Sequence, residues 1–163
     1  MKSARLLPLV IALIATPAMA RDSLGMFGQW GAFRDGAVPR CYAIATAQPG
    51  HGTHAFTPYA DVGTWPRRGL RGQFHMRLSR RIDPGRPVTL SIGGQKFHLS
   101  AGGGDAWAPS PREDAAITAA MRSAGSMTVN ARDMDGRGFS DSYALEGAAT
   151  AMDAAMLGCA RDR

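Results

Sequence analysis

The stretch at 72–100, GQFHMRLSRRIDPGRPVTLSIGGQKFHLS, decides the fold class. Phe74, Met76 and Leu78 alternate with Gln73, His75, Arg77 and Ser79. Val88, Leu90 and Ile92 alternate with Thr89 and Ser91, and Phe97 and Leu99 flank His98. In an extended backbone successive side chains point to opposite sides, so period two means a strand with one apolar and one polar face. Gly93-Gly94 between the second and third runs is a hairpin signal, because a two-residue primed turn needs positive φ. Asp83-Pro84-Gly85 marks a turn upstream. The three runs are expected as a three-stranded antiparallel meander.

Working outward, GQWGAF (28–33) and CYAIAT (41–46) read as two strands around the Asp35-Gly36 turn. In the second, Tyr42, Ile44 and Thr46 share one face and Cys41, Ala43 and Ala45 the other. Residues 47–69 are rich in Gly, Pro and polar groups and show neither period; they are expected as a long loop with a short strand near Tyr59–Val62. Loops of that length in a compact domain carry function or move. At 110–125 the period changes to helical. Ser110 suits an N-cap, Pro111 the first helical position, Glu113 a capping box and Gly125 the stop. SMTVNARD (126–133) and RGFSDSYAL (137–145) read as two further strands, and 146–160 as a second helix with Met152, Met156 and Cys159 at helical spacing. The fold class expected is mainly β (α+β): an antiparallel β-sandwich or flattened barrel of about seven or eight strands with two short helices near the C-terminus.

The first twenty residues, MKSARLLPLVIALIATPAMA, combine Lys2 and Arg5, an apolar run from Leu6 to Ala15 and the small-residue site Ala18-Met19-Ala20. Those are the three parts of a secretory signal peptide, and the apolar run is too short to span a bilayer. Residues 1–20 are therefore expected to be cleaved after Ala20. Residues 21–163 then form one periplasmic or secreted domain with no transmembrane segment. Without Lys2 and Arg5, 17 basic residues face 13 acidic ones, and the only remaining lysine is Lys96. A net charge of +4 on a chain rich in arginine suits contact with anionic lipids or polysaccharides.

FGQWGAF with Cys41 soon after, PVTLSIGGQKFHL, DAAITAAMRSAGSMTV and FSDSYALEGAATAMDAA, in that order, resemble the invasion-associated locus B family of exported alphaproteobacterial proteins. The likeness covers about residues 26–158. It implies a small β-rich domain in the periplasm or at the cell surface, with a role in envelope physiology or host-cell invasion, and it brings no catalytic residues. The family's usual four cysteines are not reproduced: Cys41 matches the early region, whereas Cys159 follows the last helix.

Two cysteines in an exported chain allow one intramolecular bridge, Cys41–Cys159; two free thiols or an intermolecular bridge are the alternatives. His51 and His54 in HGTH, with His75 and His98 on polar strand faces, are weak metal candidates, since no HExxH or Cys-x-x-Cys spacing accompanies them. Arg67, Arg68, Arg71, Arg77, Arg80, Arg81 and Arg86 lie within one stretch preceded by Phe56, Tyr59 and Trp65. Of these, Arg77, Arg80, Arg81, Arg67 and Arg68 are the candidate anion-binding set, with the face near Arg77–Arg81 as the surface expected, for a glycan, lipid phosphate or acidic partner. Export and the missing RNA-binding signature argue against nucleic acid. No G-x-S-x-G elbow is present, and the aspartates at 133, 135 and 141 lack the spacing of a calcium loop. The reading that follows is a non-enzymatic exported domain, without a cofactor, that binds an unknown anionic envelope or host component. The alternative is a small periplasmic hydrolase or metal-binding protein built on the four histidines. Export is checked directly: the intact mass of the protein from the producing cell is expected to begin at Arg21, and a mass retaining Met1 refutes it.

Overall fold

The computed structural model describes residues 21–50 and 54–160. Five strands come first: β1 (Asp22–Phe27), β2 (Trp30–Asp35), β3 (Arg40–Thr46), β4 (Tyr59–Trp65) and β5 (Leu70–Arg77). Then follow β6 (Val88–Ile92), β7 (Gln95–Gly102), the short β8 (Asp105–Trp107), helix α1 (Pro111–Ser123), β9 (Ser126–Arg132), β10 (Gly138–Ala144) and helix α2 (Ala148–Ala160). The strands pair antiparallel in one open sheet, in the order β1-β2-β3-β4-β5-β8-β7-β6-β9-β10. The mainly β class with two helices is thus what the molecule has, with ten strands rather than seven or eight. The two extra strands have too short a pattern to mark them: β1 alternates only at Leu24 and Met26, and β8 is three residues long.

Strand β7 is the corner of the sheet. Its residues Gln95 to Leu99 pair with β6, whereas Ser100 to Gly102 pair with β8. A strand shared in this way lets a sheet turn and face itself. The expected meander is corrected here. The β6–β7 hairpin forms across Gly93-Gly94, both at positive φ, but β5 pairs with β4 and β8, not β6. The segment between β5 and β6 is too long for a tight hairpin. It is drawn instead toward β9, where Ile82 bridges Asp133 and the Asp83 amide donates to the Arg132 carbonyl at 3.0 Å. Strand β4 is longer than the short strand expected in the 47–69 loop.

Contacts also join the first strands to β10 and its junction with α2. Buried Trp30 donates its indole N–H to the Ala144 carbonyl at 2.9 Å, and the Gln48 amide donates to Ser142 at 2.7 Å. A Cβ on Gly147 would lie 1.9 Å from the Phe27 carbonyl oxygen, and its φ is +84°. The first hairpin and the β10–α2 junction therefore approach as closely as they do only over glycine.

Helix α1 starts as the sequence predicts: the Ser110 hydroxyl accepts the Glu113 amide and Pro111 opens the helix. Its end differs, because the C-cap is Ala124 in extended conformation rather than a left-handed Gly125. Asp114 accepts the Phe74 amide at 2.7 Å, covering a β5 backbone group beyond the reach of short β8. Helix α2 lies across β1 to β4. It buries Ala148, Ala151, Met152, Ala155 and Cys159 toward a strand face that is equally small, Cys41, Ala43 and Ala45. Met156 does not join that stripe and is 53 % exposed. No helix among the described residues is long and apolar enough to cross a membrane.

Cys41 on β3 and Cys159 on α2 form a disulfide that spans 118 residues of chain. Closing a loop of that length in the unfolded chain contributes about 4–5 kcal/mol in the chain-entropy treatment, a large part of a small domain's stability. Reduction, or the double change Cys41→Ser/Cys159→Ser, is expected to lower the urea-unfolding free energy by about that amount. A loss under 1 kcal/mol, or a reactive thiol on the native protein, contradicts this role.

Candidate functional site

The polar face of β4, β5 and β8 carries a charged network that follows from strand register. Asp61, His75 and Trp107 lie opposite one another across the three strands, and so do Tyr59, Arg77 and Asp105 in the next row. Period two then points all six side chains to one side. The His75 ring lies between carboxylates: Nδ1 is 2.9 Å from Asp61 Oδ2, and Nε2 is 3.2 Å from Asp105 Oδ1. Arg77 holds the second oxygen of Asp105 and stacks 3.8 Å from the Phe56 ring centroid. Tyr59 and Trp107 flank the imidazole at 5.7 and 5.4 Å between centroids.

Burial by itself pulls the His75 pKa down, but the hydrogen bonds and charges of Asp61 and Asp105 outweigh it, and the imidazole titrates above its ordinary value. Two carboxylate acceptors favour the form in which both ring nitrogens donate. That commitment removes His75 as a free base or metal ligand.

The arginine stretch divides into two groups at opposite ends of the β4–β5 hairpin, about 20–25 Å apart along the strand. At the far end of β5 the charges are largely neutralised. Arg77 is held by Asp105, and Arg80 reaches Asp133 at 2.9 Å with Phe139 beneath it. Asp133 also shapes its turn, accepting the amides of Asp135 and Arg137 on its other oxygen. Arg81 is exposed and has no carboxylate partner among the described residues.

Arg67 and Arg68 sit in the single 3-10 turn, Pro66–Arg68, that joins β4 to β5, and Arg71 follows at the start of β5. None of the three has a carboxylate partner among the described residues. Beside this turn lies a cavity of about 700 Å³. The hairpin lines it with Thr64, Pro66, Arg67, Gly69 and Arg71, and α2 with Asp153, Met156, Leu157, Cys159 and Ala160. Asp153 is already bound to Arg122 at 2.7 Å. Met156 and Leu157 are 53 % and 71 % exposed. Helical spacing groups Met156 with Met152 and Cys159; the stripe of alanines takes the buried face beside those two and leaves Met156 at the cavity. The signal that could have found this site is the pair Met156-Leu157, two apolar residues beyond those a single buried stripe uses.

The three described histidines do not converge. His98 is exposed on β7. His54 is exposed at the rim of a polar cleft of about 480 Å³ that also contains Ser79, Arg80 and Ser140 to Ser142. In that cleft Asp141 accepts the Ser79 amide at 2.8 Å and the Ser142 hydroxyl pairs with Thr128, so neither is joined to His54. His51 lies outside the described residues. Among the described residues no group of three or more His, Cys, Asp or Glu side chains is arranged to hold a metal ion. No protein-family model, curated protein or solved structure matches the chain.

The His75 network has a pH signature. A histidine whose folded pKa is raised contributes stability that is complete below its unfolded value, near 6.5, and is lost as pH rises through the folded value. The wild-type protein is therefore expected to lose stability relative to His75→Gln as pH rises above about 6.5. Urea unfolding across that range measures the difference, and parallel profiles for the two proteins would rule the network out as a source of stability.

Proposed function

We propose that this chain is an exported, non-enzymatic protein of the periplasm or cell surface, similar to the invasion-associated locus B proteins. Its role is to bind an anionic envelope or host component through Arg67, Arg68 and Arg71. The leader-like residues 1–20 and a buried disulfide support export. The observation that carries the binding site is the contrast between the two arginine groups. Arg77 and Arg80 spend their charge on Asp105 and Asp133, whereas Arg67 and Arg71 line a concave surface, with Arg68 beside them, and none of the three has a carboxylate partner among the described residues; the carboxylate in that lining, Asp153, is held by Arg122. An unpaired guanidinium is a strong, directional donor to carboxylate and phosphate oxygens. A binding role also fits the histidines better than hydrolysis, because His75 has both nitrogens engaged and the others described stand apart.

The test uses the mature protein and vesicles of phosphatidylglycerol or phosphatidylcholine. Each arginine near an anionic surface contributes about 1 kcal/mol, so Arg67→Ser/Arg68→Ser/Arg71→Ser is expected to weaken binding to the anionic vesicles roughly a hundredfold. Added salt weakens the wild type in the same direction. Arg81→Ser is expected to have a small effect. Equal binding to both vesicles, or an unaffected triple variant, rejects the reading.

A further inference from the structure

We infer that the cavity between α2 and the β4–β5 turn takes a single-chain anionic amphiphile, with its acyl chain against Met156 and Leu157 and its head group on Arg67 and Arg71. This rests on the binding site proposed above and names its ligand class.

Three observations carry it. The cavity, at about 700 Å³, lies in the size range of small-molecule sites rather than of a shallow surface dimple. Its chemistry is divided: Pro66, Met156, Leu157 and Ala160 offer apolar surface, while Arg67 and Arg71 are cations without a described partner. The carboxylate in the lining, Asp153, is bound by Arg122 and does not repel an incoming anion at full charge. The third observation is the cost of the arrangement. Leu157 is 71 % exposed and Met156 53 %, although α2 already buries Ala148, Ala151, Met152, Ala155 and Cys159. The helix therefore presents an apolar edge that its own packing does not need, bordered by positive charge. Clustered exposed apolar side chains mark a surface that something covers. Methionine adapts its shape to an alkyl chain, and the arginine stems can lie along that chain with their heads at its polar end. A purely polar anion would leave the apolar edge uncovered, and a neutral apolar ligand would leave the arginines unpaired.

The experiment is calorimetric titration of the mature protein with saturated carboxylates from hexanoate to dodecanoate, each below its micelle concentration. Dodecanol and a dodecanoyl glycerophosphate serve as head-group arms. One molecule is expected per chain, with affinity rising up to about fourfold per added methylene. Dodecanol should bind at least tenfold more weakly than dodecanoate. Tighter binding of the glycerophosphate than of dodecanoate assigns the ligand to phospholipid-derived lipids, and the reverse order to free fatty acids. Met156→Asp and Leu157→Asp are expected to weaken dodecanoate at least tenfold at an unchanged melting temperature, since both positions are exposed. Equal affinity for hexanoate and dodecanoate overturns the inference, as does wild-type binding by both variants. If that happens while the triple arginine variant still loses anionic vesicles, the acyl chain is wrong and the anion site stands. If the triple variant binds vesicles as the wild type does, both fall. Sedimentation equilibrium closes the remaining case: a dimer that Leu157→Asp dissociates, with no uptake of dodecanoate, means that a second copy covers this edge and overturns the inference.

Discussion

The close seating of α2 on the first strands is the constraint on which the rest of the molecule depends. Both surfaces are small: Ala148, Ala151 and Ala155 on the helix, Cys41, Ala43 and Ala45 on the strand. Small residues allow a short distance between backbones, and the Cys41–Cys159 bridge then ties the helix's last turns to β3. Gly158 shows how little room remains, since a Cβ there would come within 2.5 Å of the Leu24 side chain. Once the helix is fixed by its alanine stripe, Met156 and Leu157 are turned toward the β4–β5 turn, and the cavity exists because of that rotation.

The second organising feature is the use of aspartate. Asp114 and Asp141 each accept a backbone amide, from Phe74 within β5 and from Ser79 just past its end, where β8 does not reach. Asp61 and Asp105 hold His75, Asp105 also holds Arg77, and Asp133 holds Arg80 and its own turn. These carboxylates consume most of the positive charge on one end of the molecule. An arginine-rich stretch that looks continuous in sequence is therefore electrostatically divided in space. Its available charge is at the hairpin turn, where no described aspartate reaches it.

Much of the fold was legible because it rests on local rules. Alternation in 73–79 and 88–99, Gly93-Gly94, and Ser110-Pro111 each specify a strand, a turn or a helix start through the backbone of a few neighbouring residues. Strands β1 and β8 were not legible, because DSLGMF and DAW are held by their partners rather than by their own pattern. The pairing of β5 with β8 instead of β6 was also hidden, since a long connection leaves the choice of neighbour to the whole sheet. The candidate site was half visible: Arg67 and Arg68 were recognisable as cations, but so were Arg77 and Arg80, and nothing in the order of residues says which cation already has its anion.

By itself the sequence determined the class of the protein, its strand faces and both helices. It also limited Cys41 to one possible partner within the chain, because these depend on period, turn chemistry and residue counts. Only the tertiary structure decided that β7 is a corner, that His75 lies between Asp61 and Asp105, and that Met156 lines a cavity instead of the core. Each of those depends on groups distant in sequence competing for the same neighbour, and the outcome is set by packing distance and charge in three dimensions.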